Sequence, residues 1–212
     1  MWAAFFLKAV FMIFKKSPTN LNINGESFFI KTDFRDWVQF EKTINRYAET
    51  EEEKITNLAK AIDFILDGKI PEVPLNSLVD GVLNFYSCSD DWKTIKTGKS
   101  SGTSVFDYEY DSLFMYSAFK EQYGIDLEDI EYLHWWKFRA MFRGLKNDCK
   151  LSEIIGYRAI KIDGKMSKSQ RDFYNEMKKI YAIPISQELL HKDDELIEAL
   201  KNGGDISGII KR

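Results

Sequence analysis

The chain has 212 residues, which is enough for one sizeable hydrophobic core or for a core with a small additional lobe. Its hydrophobic content of 44% and aromatic content of 15% are typical of a folded globular protein and exclude a disordered one. A net charge of −3 argues against a general nucleic-acid binder, which would carry a basic excess. Two cysteines are too few for the disulfide framework of a small secreted domain, so we expect a protein of the reducing cytoplasm.

Residues 1–16 are strongly apolar and end in two lysines. The run is shorter than the roughly 20 residues of a transmembrane helix and is interrupted by Lys8, so we do not expect it to span a membrane. A signal peptide would carry its positive charge before the apolar run rather than after it. Three interpretations stay open: an extension upstream of a true start at Met12, a membrane anchor, and an amphipathic helix that packs on the body. We favour the start at Met12.

The dipeptide Asn24-Gly25 separates two short β-prone runs. Both residues tolerate positive φ, so the pattern predicts a β-hairpin in which Phe28 and Ile30 face one side and Phe29 the other. Because two isolated strands are only marginally stable, we expect this hairpin to lean on helices.

Apolar residues recur at helical spacing through most of the remaining chain. The periodicity and the capping residues predict helices from Thr32 or Asp33 to about 47, then over 49–66, 75–88, 110–123, 126–144, 151–157, 167–181 and 193–201. Residues 89–106 are rich in Gly, Ser and Thr and are predicted to form a long loop. This loop either divides the chain or is a solvated excursion within one domain, and we favour the excursion.

Two of these helices are predicted to form a hairpin. Gly124 is expected to end the first in the left-handed conformation, and Asp126 to cap the second, so that only a very short connection separates them. The helix that follows Ser167 is predicted to turn Phe173, Met177, Ile180 and Tyr181 inwards.

The predicted fold class is therefore mainly α, an irregular helical bundle with a small N-terminal β-hairpin. We expect residues 17–190 to form a single helical domain. Residues 191–212 are predicted to be a C-terminal helix and a frayed tail.

Residues 107–158 hold the densest aromatic cluster of the chain. Trp135 and Trp136 cannot share one helical face, because neighbours on a helix lie about 100° apart. One of them therefore belongs in the core, and the other covers a neighbouring element or a partner surface. We favour a structural role for the cluster as a whole, because aromatic stripes at helical spacing are usually buried.

Charge is unevenly placed around this cluster. Residues 107–133 carry eight acidic side chains against one lysine, whereas residues 134–168 carry nine basic side chains against three acidic ones. The pattern fits a solvated surface with local salt bridges, which we favour. The alternative is head-to-tail complementarity between copies or with an elongated partner.

No residue spacing in the chain indicates catalysis. The two histidines belong to none of the Cys-x-x-Cys, His-x-x-x-His or His-Glu-x-x-His patterns of metal sites. His134 precedes two tryptophans, so we expect a hydrogen-bonded core histidine rather than the partner of Cys149 in a nucleophile pair. Asp107, Glu109 and Asp111 are expected to serve as helix caps. We predict a protein that is not an enzyme and that uses no metal or cofactor.

Several short motifs resemble a family of bacteriophage proteins. They are Asp107-Tyr-Glu-Tyr-Asp111, Tyr116-Ser-Ala-Phe119, Gln122-Tyr-Gly-Ile-Asp-Leu127, Leu133-His-Trp-Trp-Lys-Phe138, Gly144-Leu145 and Gly156-Tyr-Arg158. The run from Leu133 to Phe138 is the most specific, and weaker similarity extends from about Phe14 to Leu190. In phages with long non-contractile tails, genes of this family lie between those of the major tail tube protein and the tape-measure protein. The family is identified as tail assembly chaperones.

The resemblance implies a non-enzymatic chaperone of a bacteriophage or prophage that shields the tape-measure protein during virion morphogenesis in the host cytoplasm. The major tail tube protein and further copies of the chain are additional candidate partners, whereas nucleic acid and membrane are not expected. The alternative function is a structural tail or connector subunit retained in the virion. Aromatic enrichment and the resemblance together predict that exposed aromatic side chains contact the partner. The candidates are Tyr108, Tyr123, Tyr132, His134 and either Trp135 or Trp136.

Overall fold

The computed structural model describes residues 16–88 and 104–184. These residues form one two-stranded antiparallel sheet and seven helices, which confirms a mainly α fold with a small N-terminal β-hairpin. The elements are β1 (Asn20–Ile23), β2 (Glu26–Phe29), α1 (Phe34–Ile44), α2 (Glu51–Ile65), α3 (Leu75–Ser87), α4 (Ser112–Tyr123), α5 (Trp135–Arg143), α6 (Lys150–Ala159) and α7 (Lys168–Ile180).

Some predictions fall on residues outside this description. They concern the apolar N-terminal segment, most of the loop over 89–106 and the helix over 193–201. Within residues 16–88 and 104–184, no helix is both long and apolar enough to cross a membrane.

The hairpin forms as the sequence predicts. Asn24 and Gly25 form the two-residue turn with φ values of 53° and 89°, which Gly25 adopts without a side-chain penalty. Leu21 pairs with Phe28 across the strands. Ile30 is buried whereas Phe29 is half exposed, so the predicted alternation of faces is confirmed.

The hairpin leans on α3, where Gly81 lets a strand approach closely. A Cβ atom added at Gly81 would lie 3.1 Å from Cγ1 of Ile23 and 3.4 Å from Cδ1 of Leu21, and both of those side chains are buried. The absence of a side chain at Gly81 therefore makes room for the buried face of β1.

The described chain divides into two compact units, which are treated separately below. Residues 16–46, 55–88 and 130–143 form the first unit, which contains the hairpin, α1, α3, α5 and most of α2. Its core is aromatic. The fully buried ring of Trp37 stacks on Phe85 at 5.0 Å and on Trp135 at 6.0 Å, and Phe34 stacks on Phe138 at 4.7 Å.

Residues 47–54, 104–129 and 144–184 form the second unit, which contains α4, α6 and α7. Phe119 of α4 and Ile154 of α6 are fully buried in it. Gly124 ends α4 with a φ of 68°, and Ser167 caps α7 by accepting a hydrogen bond from the backbone of Gln170, both as predicted. That residues 17–190 form a single domain stays a prediction.

The predicted start of the second central helix is wrong. α5 begins at Trp135 rather than just after Asp126. The backbone of this segment bonds to the chain before α1 instead: Phe34 donates to the carbonyl of Leu133 at 2.9 Å, and Trp135 donates to the carbonyl of Thr32 at 2.8 Å. These long-range hydrogen bonds override a helical periodicity that continues through residues 130–134. Since the short connection is absent, the argument for a helical hairpin fails.

Candidate partner-binding surface

Two of the predicted contact residues lie in the core of the first unit. Trp135 is 0% exposed and His134 is 4% exposed. The backbone N–H of Trp136 donates to Nδ1 of His134 at 3.0 Å, so the neutral imidazole carries its proton on Nε2 and donates to the carbonyl of Pro18 at 2.9 Å. Burial lowers the pKa of His134 below its ordinary value. The prediction of a hydrogen-bonded core histidine is confirmed, and neither residue presents a surface to a partner.

Three side chains of α5 cap the C-terminal end of α3. The last carbonyls of a helix have no partner within the helix, so they require donors from elsewhere. Nε1 of Trp135 and Nη1 of Arg139 both donate to the carbonyl of Tyr86, at 2.9 and 2.7 Å. Nε1 of Trp136 donates to the carbonyl of Phe85 at 2.8 Å.

This capping settles the predicted division of labour between the two tryptophans. Trp135 is in the core, and Trp136 is half-buried where it covers the end of α3. The run from Leu133 to Phe138, which carries the most specific resemblance, is therefore built largely from structural residues.

Tyr132 is the predicted contact residue of the first unit that faces solvent. Its side chain is 51% exposed. The phenol oxygen lies 2.8 Å from Oγ1 of Thr32, a hydrogen bond that fixes the ring at the surface. Beside it, Arg35 donates to the carbonyl of Ile130 and lies over the ring of Phe34 at 4.9 Å. The result is an aromatic ring already held in place before any partner arrives.

Tyr108 and Tyr123 lie in the second unit and are half-buried. Tyr108 packs edge to face on Phe106 at 4.8 Å, and Tyr123 packs in the same way on Phe119 at 5.6 Å. The Tyr123 hydroxyl also accepts a hydrogen bond from Gln122 at 2.8 Å. Both rings have intramolecular roles, and contact with a partner stays a prediction for each.

The second unit contains a buried ion pair that the sequence did not reveal. Nη1 and Nη2 of Arg158 bond to the two carboxylate oxygens of Asp111 at 2.6 and 2.8 Å. The Asp111 side chain is 0% exposed and that of Arg158 is 6% exposed. Arg158 also donates to the carbonyls of Tyr181 and Val105, at 2.6 and 3.1 Å. One guanidinium thus joins the segment before α4, α6 and the end of α7.

Two of the expected cap residues have different roles from each other. Asp107 accepts hydrogen bonds from the backbone of Glu109 and Tyr110 at 2.9 and 2.8 Å, and so caps the turn before α4. Asp111 stands at the first position of α4 but makes no side-chain capping bond to the helix. Its carboxylate is committed to Arg158 instead, so the capping prediction is wrong for Asp111.

The predicted inner face of α7 is also partly wrong. Phe173 is 46% exposed and Ile180 is 55% exposed. α7 instead contacts α6 through Tyr181, whose ring stacks on Tyr157 at 6.0 Å, and through Lys178, which donates to the carbonyl of Arg158 at 2.7 Å. The ion-paired arginine and these tyrosines fix the rotation of α7, which periodicity alone could not do.

The described residues offer little that resembles a catalytic site. Within residues 16–88 and 104–184, no group of three or more His, Cys, Asp or Glu is placed to hold a metal ion. Cys88 ends α3, and burial raises the pKa of its thiol to about 11, so it is protonated at neutral pH. Sγ of Cys149 lies 3.2 Å from Oγ of Ser152. That the protein is not an enzyme stays a prediction.

The fold and the surface together define a mainly α-helical protein with an aromatic core and a fixed tyrosine on its surface. The chain belongs to the bacteriophage Gp15 protein family, whose model matches residues 15–183. No curated protein and no solved structure matched the chain. Family membership makes it a bacteriophage protein of the structural or morphogenetic class.

Proposed function

We propose that this protein is a tail assembly chaperone that binds the tape-measure protein during tail morphogenesis and carries out no catalysis. The observation that carries the proposal is the family match over residues 15–183, taken together with the motifs that resemble tail assembly chaperones. The site of action is the cytoplasm of the bacterial host, where tails assemble.

The task sets a physical requirement for the binding surface. A tape-measure protein is long and helical, and its apolar stripes must be shielded until tube subunits replace the chaperone. Many weak contacts from many copies suit this task better than one tight site, because the contacts must later be released.

Tyr132 meets this requirement in the first unit. Its ring is 51% exposed and its hydroxyl is bonded to Thr32, so little side-chain freedom is lost when the ring packs on a partner. An aromatic ring with a fixed orientation gives apolar contact area at a low entropic cost. We therefore assign Tyr132 as the principal contact among the predicted residues, with the exposed edge of Trp136 as its neighbour in sequence on the same unit.

The test is co-expression with the tape-measure protein of the same phage, followed by affinity capture and native mass spectrometry. We expect a soluble complex with several copies of this chain per client. Tyr132→Ala should reduce the soluble client several-fold, whereas Tyr132→Phe, which keeps the ring and loses the hydrogen bond to Thr32, should have a smaller effect. Tyr47→Ala is the matched control, because Tyr47 is a similarly exposed tyrosine, 40% exposed, in the second unit.

Two outcomes would overturn the proposal. An insoluble client with no captured complex would remove the chaperone function. Abundant chain in purified virions would instead favour the structural tail or connector subunit. If the complex forms but Tyr132→Ala behaves like Tyr47→Ala, the function stands and the assignment of Tyr132 is wrong.

A further inference from the structure

α7 presents an apolar stripe that no described residue covers fully. None of its 13 residues, all of which the structure describes, is buried. Phe173, Met177 and Ile180 recur at spacings of four and three and therefore lie along one side of the helix. Phe173 and Ile180 remain about half exposed, although α7 already contacts α6 through Tyr181 and Lys178.

The size of this stripe indicates what kind of occupant fits it. The exposed halves of two large apolar side chains amount to roughly 200 Å², since each such side chain carries about 150–250 Å² when fully exposed. A stable interface between separate molecules buries about 800 Å² on each partner. The stripe is therefore too small to hold an independent partner. It is large enough for a segment of the same chain, because a short tether raises the effective concentration to the millimolar range.

The chain that follows α7 has the sequence to be that segment. The described residues end at Pro184, only a few residues beyond Tyr181, so the next segment starts beside the Ile180 end of the stripe. Leu189, Leu196 and Leu200 would lie on one face of a helix. A connection of two to eight residues is common between antiparallel helices, and the residues from Tyr181 to Glu188 provide it.

Net charge also favours this pairing. The segment from 188 to 198 has five acidic side chains against one lysine: Glu188, Asp193, Asp194, Glu195 and Glu198 against Lys192. α7 has four basic side chains against two acidic ones: Lys168, Arg171, Lys178 and Lys179 against Asp172 and Glu176. Opposite net charges on two neighbouring helices favour their association and disfavour the pairing of either helix with its own copy.

We propose that residues 189–200 pack antiparallel on the Phe173, Met177 and Ile180 stripe of α7 and cover it within the same molecule. The family match ends at residue 183, so the covering segment lies outside the matched region. The proposal does not depend on the proposed chaperone function.

The test is hydrogen–deuterium exchange of the full chain, read by mass spectrometry on peptides from residues 189–201. In the wild type we expect these amides to exchange at least about tenfold more slowly than an unstructured peptide of the same sequence. The double variant Phe173→Ser with Ile180→Ser should bring them to the unstructured rate. The control is Ile55→Ser, because Ile55 is 66% exposed on α2 and should leave the exchange unchanged.

A reciprocal variant guards against damage to α7 itself. Leu196→Ser with Leu200→Ser leaves α7 unaltered and should speed exchange of the α7 amides several-fold. Three results would overturn the proposal: no protection of 189–201 in the wild type, protection that survives the α7 double variant, or protection that rises with protein concentration together with a doubled mass. The last result would assign the stripe to a second copy.

Discussion

The substitution Arg158→Met tests the central ion pair of the second unit. Methionine keeps an apolar stem of similar length but removes the donors to both oxygens of Asp111 and to the carbonyls of Val105 and Tyr181. Asp111 is fully buried, and the backbone N–H of Asp107, at 3.0 Å, would remain as a donor to its carboxylate. Breaking a buried pair from one side typically costs about 3–5 kcal/mol, because an uncompensated charge stays buried.

Urea unfolding followed by far-ultraviolet circular dichroism measures this cost. With a urea slope of roughly 2 kcal/mol per molar, a loss of about 4 kcal/mol lowers the midpoint by about 2 M. The control is Lys54→Met. Lys54 pairs with Glu51 at 2.6 Å, but the two side chains are 55% and 84% exposed, so the expected change is about 1 kcal/mol or less.

A double-mutant cycle separates the pair from its surroundings. Asp111→Ala with Arg158→Met removes both charges, so it should cost clearly less than the sum of the two single changes, with a coupling of about 2 kcal/mol or more. If Arg158→Met shifts the midpoint no more than Lys54→Met, or if the two single costs simply add, the account of a buried and mutually dependent pair is refuted.

Three further predictions concern the first unit. Trp136→Phe should lower the free energy of unfolding by about 1 kcal/mol, because it removes the indole donor to the carbonyl of Phe85, and an unchanged urea midpoint would contradict this. Gly25→Ala should cost about 1–2 kcal/mol of unfolding free energy, since alanine resists a φ of 89° although no atom lies within 4 Å of the added Cβ, and equal stability in thermal unfolding would argue against the observed turn. Burial lowers the pKa of His134 below 6.5, so the unfolded chain binds that proton more readily, and the stability contributed by the neutral ring is complete above pH 6.5 and is lost as pH falls below it. His134→Gln should flatten this part of the stability curve, measured by urea unfolding from about pH 8 to pH 5, and an unchanged slope would assign the effect to another group.

Local signals were sufficient for most individual elements. Asn24-Gly25 predicts the hairpin because few other dipeptides accept two successive positive φ values. Gly124 ends α4, and Ser167 begins α7, for reasons that involve only their nearest neighbours in sequence. These features depend on backbone conformation and short-range hydrogen bonds, which a single sequence encodes directly.

Long-range contacts decided the features that sequence reasoning missed. The start of α5 depends on hydrogen bonds between Leu133 and Phe34, and Asp111 finds its partner in Arg158 after a separation of 47 residues. The sequence showed an acidic block and a basic block but not which two members are buried together. The exposure of Phe173 has the same origin, because the rotation of α7 is set by contacts with α6 rather than by its own periodicity.

The position of the resemblance within the fold affects how binding experiments should be read. The run from Leu133 to Phe138 caps α3 and fills the core, so its specificity reports the fold rather than a binding surface. Trp135→Ala would create a cavity at a fully buried site and cost about 3–5 kcal/mol of stability. Loss of client solubility in that variant would therefore follow from unfolding as readily as from lost contact. Substitutions at Tyr132, which is half exposed and is tied to the fold by its hydroxyl, can distinguish the two causes because they leave the aromatic core intact.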